Sequence, residues 1–143
     1  MEAAVEMAFE DINADPAVLP GHALERHRLV KDSLCQAGEG IKGLFDWIND
    51  KSTPIVGVLG AGCSAVSIPL TSTAGLFNFM TLSPASASIS LSNKRLYPSF
   101  MRSITSHASL VSPLIAVCNH FKWKHVAVIT ETNDVMSGIG GLM

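Results

Sequence analysis

The sequence has very few acidic residues over most of its length. Residues 51–130 contain no Asp or Glu, whereas residues 1–50 contain ten of the twelve acids in the chain. A site in the second stretch therefore cannot use paired carboxylates for catalysis or carboxylate clusters for metal binding. It must use hydroxyls, backbone amides or cations. The formal net charge of −2 also excludes a strongly basic nucleic-acid-binding protein.

Long apolar runs and metal-binding patterns are absent as well. No run of eighteen apolar residues occurs and the first fifteen residues are acidic, so the sequence predicts neither a membrane span nor a signal peptide. The five histidines have no metal-ligand spacing, and we expect no metal or cofactor. The three cysteines, Cys35, Cys63 and Cys118, match no zinc site and no C-x-x-C pair. One disulfide with a free thiol, or three reduced thiols, both remain open.

Helical and extended patterns alternate along the chain. Periodicity predicts helices at 1–14, 36–50, 64–77 and 106–121, and strands at 22–30, 55–59, 79–82 and 125–130. This alternation predicts an α/β fold with a parallel sheet flanked by helices. Because such a fold normally starts with a strand and this chain starts with a helix, we expect a fragment whose first strand is missing.

Two of these elements carry predictions about burial. The strand at 55–59 is apolar on both sides, which is typical of a strand covered on both faces. The last helix is expected to turn four apolar residues inward: Leu110, Leu114, Val117 and Phe121.

The segment GAGCSA, residues 60–65, fits the G-x-G-x-x-A fingerprint between a strand and a helix. A dinucleotide site also needs an acid about twenty residues further on, but the sequence there reads TLSPASAS. A dinucleotide-binding oxidoreductase fragment is kept as an alternative. A serine hydrolase elbow, G-x-S-x-G, is disfavoured because Val66 stands at the position of its second glycine.

The same segment can also form an anion site. A strand that ends in glycines and leads into a helix presents free amides, here near Ser64, Ala65 and Val66, and Ser64 adds a hydroxyl. Such a site binds a carboxylate or phosphate without a charged side chain. The alternative is that Ser64 only caps the helix.

Four segments resemble one receptor family. They are DSLC at 32–35, GCSAVS at 62–67, LSPASASISLSNKRLYPSFMRS at 82–103 and FKWKHVAVITET at 121–132. In order and spacing they resemble the extracellular ligand-binding region of class C G-protein-coupled receptors, and most closely that of the metabotropic GABA (GABA-B) receptors. The string from Leu91 to Arg102 is specific for this superfamily, and the likeness covers roughly residues 3–135.

The resemblance implies a fold and a location. Residues 1–135 would form most of lobe 1 of a type I periplasmic-binding-protein fold, and residues 136–143 would be a tail outside the family. It also implies a disulfide between Cys35 and Cys63, and with it an oxidising environment. The full-length receptor would lie in the plasma membrane, with this region on the extracellular side, and would not be an enzyme.

The resemblance further implies a ligand site. Ser64 matches the serine that binds the ligand carboxylate, whereas the second binding serine falls on Ala87, between Ser86 and Ser88. Ile104 stands where the agonist-binding subunit has a histidine. The predicted ligand-binding residues are therefore Ser64, Ala65, Ser86 and Ser88.

The partners implied are a small GABA-like amino acid, a second receptor subunit in a heterodimer, and a G protein reached through a membrane domain. A natriuretic-peptide or guanylate-cyclase type receptor ectodomain is an alternative that shares the fold but not the ligand.

Overall fold

The computed structural model describes residues 2–26, 30–52 and 54–127, which divide into a first unit, Met1–Val30, and a second that begins at Lys31. The first unit contains helix α1 (Glu2–Ala14), as predicted. The Asn13 side chain accepts a hydrogen bond from the Leu24 amide at 2.8 Å and donates to the Leu24 carbonyl at 2.9 Å. The strand predicted at 22–30 is wrong for residues 22–26 and 30, which are irregular, and residues 27–29 lie outside the described residues.

In the second unit, helices and strands alternate as predicted as far as residue 83, and a further strand then precedes the last helix. Its elements are α2 (Ala37–Asn49), β1 (Gly57–Leu59), α3 (Ser64–Gly75), β2 (Met80–Ser83), β3 (Phe100–Arg102) and α4 (Val111–His120). The strands form a parallel sheet in the order β1-β2-β3. Val58 lies beside Thr81, which in turn lies beside Phe100. The predicted α/β fold with a parallel sheet is confirmed.

The core lies between the sheet and helices α2 and α3. Leu44 of α2, Val58 of β1 and Leu70 of α3 form a buried cluster with Ala74. A side chain at Gly40 would collide with Val66, so only glycine allows α2 to approach the first turn of α3 this closely. This packing fixes the start of α3, where Ser64 lies.

The other face of the sheet is partly exposed. Leu59 is 45% exposed, and Met80 and Leu82 on β2 are 48% and 41% exposed. The prediction that the strand at 55–59 is covered on both faces is therefore wrong for the described part of the chain. Helices α2 and α3 cover only the face that carries Val58.

The region after β2 differs most from prediction. Strand β3 was not predicted, and the last helix begins with a 3₁₀ turn, His107–Leu110, before α4. The four side chains expected to face inward are between 42% and 59% exposed, because no described strand or helix outside that turn packs closely on them. Of the strand predicted at 125–130, residues 125–127 are irregular and the rest lies outside the described residues.

None of the helices in the described part of the chain is long and apolar enough to cross a membrane.

Candidate ligand-binding site

Two loops and the last residue of β3 meet at the carboxyl ends of the three strands. The first joins β1 to α3 through residues 60–63, the second leaves β2 at residue 84, and Arg102 ends β3. In open parallel sheets this edge is where ligands bind. The four residues predicted to bind ligand lie at the start of α3 or on the second loop: Ser64, Ala65, Ser86 and Ser88.

Ser64 and Ser88 are in direct contact. The Ser88 amide donates to Ser64 Oγ at 3.1 Å, and both residues are almost fully buried. The hydroxyl of Ser88 has no hydrogen-bond partner among the described residues. The alternative that Ser64 simply caps α3 is not supported, because the cap position is Cys63 and Ser64 Oγ meets an amide of another loop.

At the start of α3, the amides of Ser64 and Ala65 have no hydrogen-bond partner among the described residues. The Val66 and Ser67 amides both donate to the Cys63 carbonyl at 3.0 Å, which corrects the expectation that the Val66 amide is free. Ala65 is an exposed residue, in contrast to Ser64 and Val66 on either side. A carboxylate at this helix end would meet two amides and the positive end of the dipole.

Ser86 is placed differently from Ser88. It is 0% exposed, and its hydroxyl contacts the Ala61 carbonyl at 2.9 Å and the Ser67 hydroxyl at 2.7 Å. Its hydrogen-bonding capacity is thus engaged by the protein. Its predicted contact with the ligand stays a prediction. Ala87, between the two serines, is 5% exposed.

The Arg102 side chain donates hydrogen bonds to the serine-rich loop. Its Nη1 donates to the Ser88 carbonyl at 2.9 Å and the Ser86 carbonyl at 3.3 Å, and its Nη2 donates to Ser92 Oγ. Burial lowers the pKa of the Arg102 guanidinium, which nevertheless remains charged at neutral pH. Sequence reasoning assigned it no role. The available signal was the position of Arg102 in a stretch without acidic residues, where carbonyl oxygens take the place of carboxylates as acceptors.

The loop after β1 is strained at Ala61. Ala61 has φ +52°, in the left-handed region that costs a non-glycine residue about 1–2 kcal/mol. The hydroxyls of Ser67 and Ser83 lie 2.8 Å from its carbonyl oxygen, and the hydroxyl of Ser86 lies 2.9 Å from it. Sequence reasoning did not assign roles to Ser67 and Ser83 either, because the conformation of Ala61 is not visible in its residue type.

A disulfide joins Cys35 and Cys63, the pair that the resemblance implied, with their Cα atoms 5.5 Å apart. It ties the residue before Ser64 to the segment that leads into α2. Cys118 is a half-buried free thiol.

A cavity of about 270 Å³ lies elsewhere, at the amino end of β1. It is lined mainly by apolar side chains, including Trp47, Ile48, Pro54, Ile55 and Phe79. An apolar lining does not suit an anion, so the candidate site remains at the serine loops.

Comparison with known proteins identifies the family of the chain. The family described as "Receptor family ligand binding region" matches residues 1–142. This match runs past the boundary predicted after residue 135, which stays a prediction.

Three curated relatives are named as GABA-B receptor subunits. Gamma-aminobutyric acid type B receptor subunit 1 of Mus musculus is 36% identical over 136 residues, which are 94% of this chain and 14% of that protein. Subunit 1 of Caenorhabditis elegans is 31% identical over 133 residues, 92% of this chain and 14% of the relative. Subunit 2 of the same organism is 26% identical over 134 residues, 92% of this chain and 16% of the relative.

The chain thus spans about one seventh of the length of these relatives. The dinucleotide alternative is not favoured, since neither the family nor these relatives are described as oxidoreductases and no acid lies between β2 and residue 130. The chain belongs to the family of receptor ligand-binding regions, and it is similar to a part of the ectodomains of class C receptors of the GABA-B type.

Proposed function

We propose that this chain is the carboxylate-binding part of a receptor lobe that receives a small, GABA-like amino acid. In this proposal the Ser64 hydroxyl, the Ser64 and Ala65 amides and the Ser88 hydroxyl bind the ligand carboxylate. All of these groups are neutral donors, which are among the groups that an acid-free stretch can supply.

The observation that carries the proposal is the contact between the Ser88 amide and Ser64 Oγ, at 3.1 Å. A serine hydroxyl has one hydrogen to donate and two lone pairs to accept. Because the Ser88 amide occupies a lone pair, the Ser64 hydrogen stays free for an external acceptor. The two neighbouring free amides, on Ser64 and Ala65, can bind the same acceptor.

Ser88 supports the proposal independently. It is 1% exposed and its hydroxyl has no partner among the described residues, although a buried hydroxyl is normally hydrogen-bonded. A carboxylate beside Ser64 would supply the acceptor. In this proposal Ser88, rather than the residue at Ala87, takes the role of the second binding serine.

The larger functional statements rest on the relatives. Their names include subunit 1 and subunit 2 of one receptor type, which supports a partner subunit in a heterodimer. We propose that the full-length protein lies in the plasma membrane with this region outside, acts by binding rather than catalysis, and signals to a G protein. Closure of a second lobe over the ligand would shift an existing open–closed equilibrium.

The test is a titration of the ¹⁵N-labelled 143-residue chain with γ-aminobutyric acid, followed by amide chemical shifts. We expect shifts at Ser64, Ala65 and Ser88. Ser64→Ala should weaken binding about 10- to 100-fold, the effect of losing a hydrogen bond to a charged group. The control is Ser72→Ala, an exposed serine on the same helix whose hydroxyl bonds to the Ile68 carbonyl at 3.2 Å. Equal binding by the Ser64→Ala variant and the wild-type chain would contradict the proposal.

A further inference from the structure

Three serine hydroxyls converge on one backbone oxygen next to the proposed site. Ser67 on α3 and Ser83 at the end of β2 each approach the Ala61 carbonyl to 2.8 Å, and Ser86 approaches it to 2.9 Å. All three serines are at most 1% exposed. Water therefore does not compete for these hydrogen bonds, and each bond is stronger than it would be at the surface.

The hydrogen atoms of this group can all be placed. Ser83 Oγ accepts from the Ser86 amide at 3.0 Å, so its own hydrogen is free to donate to Ala61. The Oγ atoms of Ser67 and Ser86 lie 2.7 Å apart, so one can donate to the second lone pair of the Ala61 carbonyl and the other to its neighbour. Ser86 Oγ also lies 3.3 Å from the Gly62 carbonyl, a further acceptor. Every hydroxyl is satisfied, in contrast to that of Ser88.

The carbonyl that they hold belongs to a residue with an unfavourable backbone conformation. Ala61 has φ +52°, which a residue with a side chain adopts only when the surroundings enforce it. Ala61 lies three residues before Ser64. A rotation at Ala61 would carry Ser64 away from the Ser88 amide.

We propose that Ser67, Ser83 and Ser86 are positioning residues that fix Ala61 in its left-handed conformation and so hold Ser64 against Ser88. One oxygen anchors both sides of that contact. The loop that carries Ser64 is held directly through its own carbonyl, and the loop that carries Ser88 is held through Ser86. The role of the contact in ligand binding rests on the function proposed above, but the positioning itself does not need a ligand.

The test compares two buried hydroxyls one turn apart on α3. Ser67→Ala removes a hydroxyl that bonds to Ala61, whereas Thr71→Val removes one that has no partner among the described residues and is equally buried. The readout is hydrogen exchange at the Ser88 amide, which bonds to Ser64 Oγ. The Thr81 amide, which donates to the Ser99 carbonyl at 3.0 Å, reports on the sheet.

In Ser67→Ala we expect exchange at Ser88 to accelerate about tenfold or more while exchange at Thr81 is unchanged. Thr71→Val should change neither. Adding Ala61→Gly to Ser67→Ala should restore part of the Ser88 protection, because glycine adopts positive φ without strain. If Ser67→Ala alone does not fold, hydrogen exchange at the Ser88 and Thr81 amides is measured in the double variant instead.

Unchanged exchange at Ser88 in Ser67→Ala would overturn the proposal, as would equal acceleration at Ser88 and Thr81, which indicates a general loss of stability. Titration of the same samples with γ-aminobutyric acid separates the two proposals. Selective loosening of Ser88, with no response of the wild-type chain to the amino acid, would leave the positioning role standing and contradict the proposed ligand.

Discussion

Two groups of buried serines lie side by side at the carboxyl edge of the sheet, and they differ in what their hydroxyls contact. Ser67, Ser83 and Ser86 donate within the protein, to one carbonyl and to one another. Ser64 and Ser88 meet through an amide, which leaves both hydroxyl hydrogens without a described acceptor. The two groups have the same residue type and similar burial. The backbone around them therefore decides which serines stabilise the fold and which can bind a ligand.

Removing the disulfide should disturb both groups and have the largest effect. Cys63 directly precedes Ser64, and its bond to Cys35 closes a loop of about 29 residues worth about 3 kcal/mol in the chain-entropy account. We expect the Cys35→Ser/Cys63→Ser double variant to lose about that much free energy of unfolding, measured by urea denaturation. Cys118→Ser, which removes a free thiol, is the control. A double variant as stable as the wild-type chain would contradict this.

The second test separates the two groups directly. Ser86→Ala removes a hydroxyl that is bonded in the interior and should cost about 1–3 kcal/mol of unfolding free energy. Ser88→Ala removes a buried hydroxyl without a described partner and should leave stability unchanged or slightly raised. Affinity for γ-aminobutyric acid should fall in Ser88→Ala. Equal losses of stability in the two variants would remove the distinction between the groups.

Arg102 sharpens the comparison because it contacts the carbonyls of one member of each group, Ser86 and Ser88. Arg102→Lys keeps the charge but loses the planar, two-pronged donor. We expect a loss of about 1 kcal/mol in unfolding free energy and faster exchange at the Ser88 amide. Arg95→Lys, at an exposed arginine, is the matched control. Wild-type exchange at Ser88 in Arg102→Lys would show that the guanidinium does not fix the loop.

The smallest effect should come from an exposed ion pair, which contrasts with the buried neutral serines. Lys31 Nζ lies 2.7 Å from Asp46 Oδ2, and this hydrogen bond is the main cause that lowers the pKa of Asp46. Because the pKa is lower in the folded chain, the pair stabilises the fold above the unfolded pKa, and that contribution is lost as pH falls through the folded value. Asp46→Asn should therefore slightly flatten the acid limb of the stability curve. An unaltered limb would show that the pair contributes nothing.

Much of this fold could be predicted from local patterns. The pattern at 36–50 and 64–77 predicted α2 and α3 within two residues, and each helix buries a leucine in the core, Leu44 and Leu70. Strand β3 could not be predicted in the same way. Its three residues have no pattern of their own, and they form a strand because the edge of β2 pairs with them.

The site was predictable only in part for a similar reason. The glycines and Ser64 predict a helix start that can bind an anion, and the family resemblance predicts that Ser88 belongs to the same site. The arrangement of Ser67, Ser83 and Ser86 depends on where the Ala61 carbonyl points, which follows from a positive φ at a residue that rarely adopts one. Likewise, periodicity alone could not predict which face of α4 is exposed, because burial depends on which elements pack against the helix.

The central claim is that neutral donors at the start of α3 bind a carboxylate, and a pair of matched ligands tests it most directly. γ-Aminobutyric acid carries a carboxylate, whereas n-butylamine has the same amine and carbon chain without it. The account predicts that the first compound shifts the amide resonances of Ser64 and Ala65 and that the second does not. Equal shifts with both compounds, or no shift with γ-aminobutyric acid, would contradict it.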